Sequence, residues 1–307
     1  MEYDRQGFAT AGDGTRLFYG VRGEGPTTIV LSDGIGCDGF AWKYLQPHLA
    51  TDHRVVHWHY RAHGRSGLPV DAGRIDVPAH ARDLWSVLDA LQIERAVLIG
   101  HSMGTQVSLE AYRLAPERVT GLVLVCGSYG KVTATFHGSD VLKQVLPAIL
   151  DAVERRKGLA RALWGRLPPK LAFHIARLSK EVDALAIREE DFRPYMEHVS
   201  AMDPSIFLAM LRCAGEHTAE DLLERVTAPT LVISAERDTF TPPVLAQHMA
   251  ETIPGAELFV LRGASHAAPI EQPVAIQLRI DKFLRERVEK DGEREPAAEP
   301  ASGRRTG

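Results

Sequence analysis

The sequence predicts an α/β protein with a mostly parallel sheet flanked by helices. Short apolar runs alternate with amphipathic helical segments along most of the chain. Several runs, such as residues 27–31, are continuous in the way that is typical of strands buried on both faces of a parallel sheet. In addition, a G-x-S-x-G motif stands between one such run and a helical segment.

The amino-terminal elements follow from local patterns. Residues 6–21 alternate in polarity around a turn at residues 12–14, which favours a β-hairpin. Asp76 is a suitable N-cap for a helix that has Pro78 in its first turn. Further strands are predicted at residues 27–31, 54–59, 96–99 and 119–126, and further helices at residues 42–49 and 105–115.

The same alternation returns in the carboxyl-terminal part of the chain. Residues 230–234 and 257–261 are predicted strands, and a helix is expected after Pro242-Pro243. A final helix is indicated by an apolar stripe formed by Ile276, Ile280, Phe283 and Leu284.

Residues 130–226 interrupt this alternation because they lack β-branched apolar runs. Their helical segments are expected to break at three proline sites: Pro147, Pro168-Pro169 and Pro204. We therefore predict that residues 130–226 form a helical cap, or lid, on a core formed by residues 1–129 and 227–288. Residues 289–307 lack the apolar content to pack and are expected to be a disordered tail.

Composition and charge restrict the possible partners. The 307 residues carry a formal net charge of -4, so there is no broad basic surface and nucleic acid is not an expected partner. A small-molecule substrate is compatible with this charge, and no apolar run is long enough for a membrane span. The amino terminus shows no signal region and the three cysteines have no paired spacing, so a cytoplasmic location is expected.

The motif Gly100-His101-Ser102-Met103-Gly104 is the candidate nucleophile site. Between a strand and a helix, G-x-S-x-G is typical of a nucleophile elbow, a tight turn that holds its serine in a strained conformation with the hydroxyl exposed. Glycine at both ends would let the helix start close to the neighbouring strands. An ordinary Gly-rich turn could show the same five residues, but this motif also has both flanking elements.

A serine nucleophile needs a base to take its proton and a carboxylate to orient that base. Because active groups gather at the carboxyl ends of parallel strands, position selects among the thirteen histidines. His266 follows the last predicted strand and Asp238 follows the strand before it, which gives the order Ser, Asp, His of elbow hydrolases. His266 could instead cap a helix and Asp238 could be a turn residue. Glu236 is the nearest rival for the acid.

Backbone amides are the expected donors to the oxyanion of a tetrahedral intermediate. One should be the N–H of Met103, which follows the nucleophile at the start of a helix. The other should come from the loop Asp33-Gly34-Ile35-Gly36, where the Ile35 N–H is favoured and the Gly36 N–H is the alternative. A glycine turn without a catalytic part would also fit this loop.

Other candidate sites are weaker. His57 and His59, which alternate along a predicted strand, and His63 after them suggest a metal site, but no nearby carboxylate or cysteine in the sequence completes it. The glycines after residue 33 do not have dinucleotide-binding spacing, so no cofactor and no metal are expected. His101 is expected to serve in packing, and Cys37 to be a small buried apolar residue at or near the pocket.

The predicted cap is rich in aromatic residues and methionine. Most of these side chains must pack the cap onto the core, and any that face Ser102 would form an apolar pocket for an acyl chain or an uncharged ester. The candidates are Phe136, Trp164, Phe173, Phe192, Tyr195, Met196, Met202, Phe207 and Met210.

Over residues 8–288 the chain resembles the α/β-hydrolase fold family. The resemblance is carried by the loop at residues 33–36, the segment Arg61-Ala62-His63-Gly64-Arg65-Ser66, the elbow, Asp238 and the sequence Gly263-Ala264-Ser265-His266. It implies an eight-stranded, mostly parallel sheet, a helical lid after the sixth strand and a Ser-Asp-His triad without a cofactor.

Two loops depart from the common family pattern. Many members have His-Gly where this chain has Asp33-Gly34, and Asp-x-Arg-Gly-His-Gly where it has Tyr60-Arg61-Ala62-His63-Gly64. The Gly-Ile-Gly form of the first loop is similar to that of some polyhydroxyalkanoate depolymerases. Ser102 argues against haloalkane dehalogenases and epoxide hydrolases, because these members use an aspartate at the elbow.

The predicted function is that of a serine hydrolase that cleaves carboxylic esters through an acyl-enzyme. The same triad could serve a C–C bond hydrolase, a lactonase, an acyltransferase or a cofactor-free perhydrolase. A ligand-binding receptor on the same fold is the third possibility. The residues leave the acyl and alcohol groups and the oligomeric state open.

Overall fold

The computed structural model describes residues 1–71, 73–130, 141–164, 166 and 187–289. Within these residues eight strands form one sheet in the order β1-β2-β4-β3-β5-β6-β7-β8. β2 pairs antiparallel with β1 and β4, and the other neighbouring strands are parallel, which confirms the predicted sheet. The strands are β1 Arg5–Thr10, β2 Arg16–Arg22, β3 Thr28–Ser32, β4 Arg54–Trp58, β5 Ala96–His101, β6 Val119–Val125, β7 Thr230–Ala235 and β8 Glu257–Leu261.

Helices cover both faces of this sheet. One face packs against α2, α3 and α8, and the other packs against α1 and α10. The helices are α1 Leu45–Leu49, α2 Val77–Ala90, α3 Met103–Leu114, α4 Val141–Arg155, α5 Lys157–Trp164, α6 Glu189–Ala201, α7 Pro204–Glu216, α8 Pro243–Thr252, α9 Ala268–Glu271 and α10 Pro273–Phe283. No helix among the described residues is long and apolar enough to cross a bilayer.

Local sequence explains the start of α2. Asp76 is extended and its carboxylate accepts a hydrogen bond from the Ala79 N–H at 2.7 Å, which confirms the predicted N-cap. Pro78 lies in the first turn, where an amide hydrogen would have no partner within the helix.

Helices α4 to α7 lie between β6 and β7, so the helical insertion after the sixth strand is confirmed. The predicted break at Pro147 was wrong, because α4 continues through this residue. Proline removes one hydrogen bond from a helix, and the burial of Leu146 and Leu150 on either side of Pro147 stabilises the continuous helix. Pro204 does mark a boundary, at the start of α7.

Some predicted features fall outside the described residues. These are Pro168-Pro169, the aromatic residues Phe136 and Phe173, and all of the predicted tail except Glu289, which ends a π-helical turn after α10. The three cysteines are described, and none forms a disulfide.

Candidate active site

Ser102 occupies a strained turn between β5 and α3. Its φ of 56° and ψ of −119° are unusual for a residue with a side chain. A Cβ at Gly100 would lie 2.1 Å from the Gly104 oxygen, and a Cβ at Gly104 would lie 2.1 Å from the Ser32 oxygen. Both glycines are therefore required for the close approach of helix and strand that the motif predicted.

His266 and Asp238 form a hydrogen-bonded pair in the loops after β8 and β7. His266 Nδ1 lies 2.8 Å from Asp238 Oδ2, and Asp238 is buried. The carboxylate also accepts the N–H groups of Phe240 and Thr241, both at 2.9 Å, and the Thr241 hydroxyl at 2.8 Å. With Nδ1–H donated to the carboxylate, His266 retains a free electron pair on Nε2.

The structure distinguishes Asp238 from Glu236, the other candidate for the carboxylate that orients His266. Glu236 Oε2 accepts the Gly263 N–H at 2.8 Å, and Asp238 is the carboxylate that bonds to His266. Thr241 was not among the residues that sequence position indicated. An aspartate commonly accepts the backbone N–H two residues on, as Asp238 does from Phe240, but this pattern does not indicate the threonine hydroxyl that also bonds to it.

Ser102 and His266 line one cavity of about 300 Å³. No hydrogen bond joins the Ser102 hydroxyl to His266 among the residues that the structure describes. Hydrogen bonds within a catalytic group are often long until a substrate binds. The structure therefore brings His266 to Asp238 directly and places Ser102 in the same cavity.

Comparison with known proteins identifies the family. A family model described as alpha/beta hydrolase fold matches residues 27–273. The chain belongs to the alpha/beta hydrolase fold family. As such it is a hydrolase of the α/β type, which agrees with the sheet order, the elbow and the helical insertion.

The proteins similar to this hydrolase are named for several different activities. It is 30% identical over 263 residues to "Putative carbamate hydrolase RutD" of Azorhizobium caulinodans, covering 85% of this chain and 91% of that protein. An esterase from Thermogutta terrifontis has the same fold, with a TM-score of 0.75, 24% identity and coverage of 92% of this chain and 99% of that chain. The enol-lactonase of Burkholderia xenovorans gives a TM-score of 0.72 at 23% identity, covering 91% of this chain and 100% of that chain.

Two residues that line the cavity have backbone amides without an acceptor in the described part of the chain. These are the N–H groups of Ile35 and Met103, for which the described residues provide no hydrogen-bond partner. The Gly36 N–H, the sequence alternative, donates to His63 Nε2 at 3.0 Å. At Gly34 a Cβ would lie 3.1 Å from Ser102 Cβ and 3.5 Å from its hydroxyl oxygen, so a side chain there would crowd the serine.

His101 has a more specific role in the hydrolase than packing alone. Its Nε2–H donates to the backbone oxygen of His266 at 3.0 Å, and the ring centroids are 5.0 Å apart. Burial, with a smaller contribution from nearby His266, lowers the pKa of His101 to about 4. His101 therefore joins the elbow to the loop of His266 as a neutral imidazole.

The cavity walls are mainly apolar and come from both the core and the insertion. The insertion contributes three of the predicted aromatic residues and the core contributes residues of the first loop and the Asp238 loop. The principal apolar lining residues are Ile35, Phe40, Phe192, Tyr195, Phe207 and Phe240. Cys37 also lines the cavity and is buried, and burial raises the pKa of its thiol.

The histidines in and directly after β4 are engaged in hydrogen bonds. His57 Nε2 lies 2.8 Å from Asp33 Oδ2, and His57 Nδ1 lies 2.7 Å from the Tyr3 hydroxyl. The carboxylate beside His57 was not predicted, because Asp33 follows a different strand, β3. His59 Nδ1 accepts the Arg65 N–H at 2.8 Å. In the described part of the chain, no group of three or more potential ligands is placed to hold a metal ion.

Proposed function

We propose that this protein is a serine hydrolase that cleaves carboxylic esters through an acyl-enzyme. Ser102 Oγ attacks the ester carbonyl while His266 takes its proton, with Asp238 holding His266 in the required tautomer. His266 then gives this proton to the leaving alcohol as the bond from carbon to the alcohol oxygen breaks. A water molecule, deprotonated by His266, attacks the acyl carbon and releases Ser102.

The observation that carries the proposal is the His266–Asp238 pair at the cavity that also contains Ser102 in its strained turn. A base held by a buried carboxylate at the same cavity as a half-buried, strained serine is the arrangement that activates a hydroxyl for acyl transfer. An ordinary capping histidine would not explain the three additional donors that fix the carboxylate of Asp238.

The amides of Ile35 and Met103 are proposed to stabilise the oxyanion. Both border the cavity and lack acceptors among the described residues, whereas the Gly36 amide is already used by His63. Donors that are fixed before the reaction stabilise the developing negative charge without a cost of reorganisation. The start of α3 at Met103 adds a favourable helix dipole.

The apolar walls support an ester with an uncharged, apolar acyl group. Aromatic side chains of α6 and α7 face the same cavity as the serine, so the insertion would act as a cap that shapes the acyl site. A series of p-nitrophenyl esters of increasing chain length should show its highest kcat/KM at a medium or long chain. Activity restricted to acetate would contradict an apolar acyl site.

A fluorophosphonate probe tests the nucleophile. The probe should label the wild type, and Ser102→Ala should abolish labelling because the attacking oxygen is removed. Ser86→Ala is the matched control, since Ser86 is on α2 and, within the described residues, its hydroxyl bonds only to the Arg82 oxygen at 3.1 Å. Equal labelling of the Ser102→Ala protein would show that the nucleophile is another residue.

Carbamates and lactones form the second candidate substrate class. This class is favoured by the relatives named as a carbamate hydrolase and an enol-lactonase, and the same triad can open either acyl bond. A panel of esters, lactones and N-alkyl carbamates compared by kcat/KM separates the two. A preference of more than about tenfold for a lactone or a carbamate, equivalent to about 1.4 kcal/mol in the barrier, would replace the ester assignment.

A further inference from the structure

The loop that carries Ile35 is a tight turn. The Cys37 N–H donates to the Gly34 oxygen at 3.2 Å, and Gly36, the third residue of the turn, has a φ of 74°. Positive φ at this position is what a type II turn requires. Because the peptide group between Gly34 and Ile35 is planar and trans, its N–H points away from its C=O. The bond to the Gly34 oxygen therefore sets the direction of the Ile35 N–H.

Two imidazoles hold this turn at Gly36. Its N–H donates to His63 Nε2 at 3.0 Å, and its oxygen accepts from His198 Nδ1–H at 2.8 Å. His63 belongs to the core, where its Nδ1–H donates to the Arg61 oxygen at 3.2 Å. His198 belongs to insertion helix α6, and its Nε2 accepts the Gly64 N–H at 2.8 Å. Both polar groups of the Gly36 residue are thus fixed by side chains from two different parts of the fold.

The insertion also packs directly on this turn. A Cβ at Gly36 would lie 2.8 Å from Val199 Cγ2 and 3.1 Å from Phe207 Cε2. A side chain at this position would push α6 and α7 away from the core. The absence of a side chain lets His198 reach the backbone of the turn.

We propose that His198 is a positioning residue that makes the oxyanion amide of Ile35 depend on the docking of insertion helix α6. This inference rests on the proposed function, since it assigns the Ile35 N–H to the oxyanion. When α6 is docked, His198 joins the turn to the loop at Gly64 and keeps the Ile35 N–H directed at the cavity. When α6 separates from the core, the turn loses one of its two side-chain anchors.

The surroundings of His198 suit a neutral imidazole that both donates and accepts. Its Nε2 accepts a backbone N–H, which a protonated ring could not do. The titratable groups that act on it are Asp38 of the first loop and His59 and His63 of the core. Burial lowers the pKa of His59 to about 2 and that of His63 to about 4, so neither carries a competing positive charge at neutral pH.

The test compares two contacts between α6 and the core. His198→Phe keeps a ring but removes both hydrogen bonds. Asp191→Asn is the matched control, because Asp191 is buried on the same helix and the asparagine oxygen can still accept from Lys43 and the Tyr44 hydroxyl, so α6 should stay docked with the His198 bonds intact. His198→Asn retains a donor for the Gly36 oxygen and should recover part of the loss.

On p-nitrophenyl acetate, which makes little use of the acyl site, His198→Phe should lower kcat by about tenfold or more with little change in KM. Complete removal of an oxyanion donor lowers kcat by about 10²–10³-fold, and misalignment should cost less. Asp191→Asn should keep kcat on acetate within about twofold, a change of only about 0.4 kcal/mol. Equal losses in both variants, or no loss in His198→Phe, would overturn the inference.

Hydrogen exchange gives a readout that does not depend on catalysis. The peptide of residues 33–38 should take up deuterium faster in His198→Phe than in the wild type or in Asp191→Asn, because the Cys37 and Gly36 amides lose protection. Unchanged uptake in His198→Phe would overturn the link between α6 and the turn, whatever the substrate. A wild type that hydrolyses no ester would instead overturn the proposed function.

Discussion

Asp238→Asn is the substitution that most directly tests the proposed triad. In the wild type, Oδ1 accepts two backbone N–H groups, and Oδ2 accepts the Thr241 hydroxyl and His266 Nδ1–H. Asparagine can keep its oxygen on the two amides, which places its NH₂ group next to His266 Nδ1. This NH₂ group can only donate, so His266 must accept at Nδ1 and carry its proton on Nε2.

A proton on Nε2 removes the electron pair that takes the proton of Ser102. In a serine triad the wrong tautomer lowers kcat by about 10⁴-fold, which at 1.36 kcal/mol per tenfold equals about 5 kcal/mol in the activation barrier. Because the two backbone hydrogen bonds are retained on the oxygen, and the contacts with the Thr241 hydroxyl and His266 can form with reversed direction, the fold should remain intact.

The assay is steady-state hydrolysis of a p-nitrophenyl ester, with thermal unfolding followed by circular dichroism to show that the variant is folded. Glu236→Gln is the control, since its amide oxygen can still accept the Gly263 N–H and it does not touch His266. It should keep kcat within about twofold, or about 0.4 kcal/mol. A folded Asp238→Asn protein with more than a tenth of the wild-type kcat would refute the assignment, as would an equal loss in Glu236→Gln.

Two further predictions concern stability. Gly104→Ala should destabilise the fold by about 3 kcal/mol or more, because its Cβ would meet the Ser32 oxygen. As the control, Gly158→Ala in α5 meets no atom within 4 Å and should stabilise the fold by about 0.5–1 kcal/mol. Urea unfolding midpoints that shift in the same direction for both variants would contradict this prediction. Burial lowers the pKa of His63 and of His101 in the folded state to about 4, below the unfolded value. The unfolded chain therefore binds more protons than the folded chain between about pH 4 and 6.5, and the free energy of unfolding decreases as pH falls through this range. The loss from pH 7 to 5 should be about 2 kcal/mol for each histidine, and an unfolding free energy that is equal at pH 7 and 5 would rule this out.

Local sequence patterns were sufficient to predict much of the fold and to identify the residues proposed to act in catalysis. Continuous apolar runs such as β5 and β7 could be predicted because a strand buried on both faces must be apolar along its whole length. The elbow could be predicted because two glycines, a serine and their flanking elements are close in sequence. The continuation of α4 through Pro147 could not be predicted, since whether a helix continues through proline depends on what packs against it.

Pairing between distant segments was decided only by tertiary structure. Sequence position left Asp238 and Glu236 as rivals, and the turn geometry alone put Asp238 against His266. The bonds of Gly36 to His63 and His198 and the contact of Asp33 with His57 likewise join residues far apart along the chain. Strand order, loop direction and the approach of α6 depend on the packing of the whole sheet, and no local pattern encodes them. The sequence by itself therefore determined which groups exist and which strands carry them, while the tertiary structure decided which groups meet.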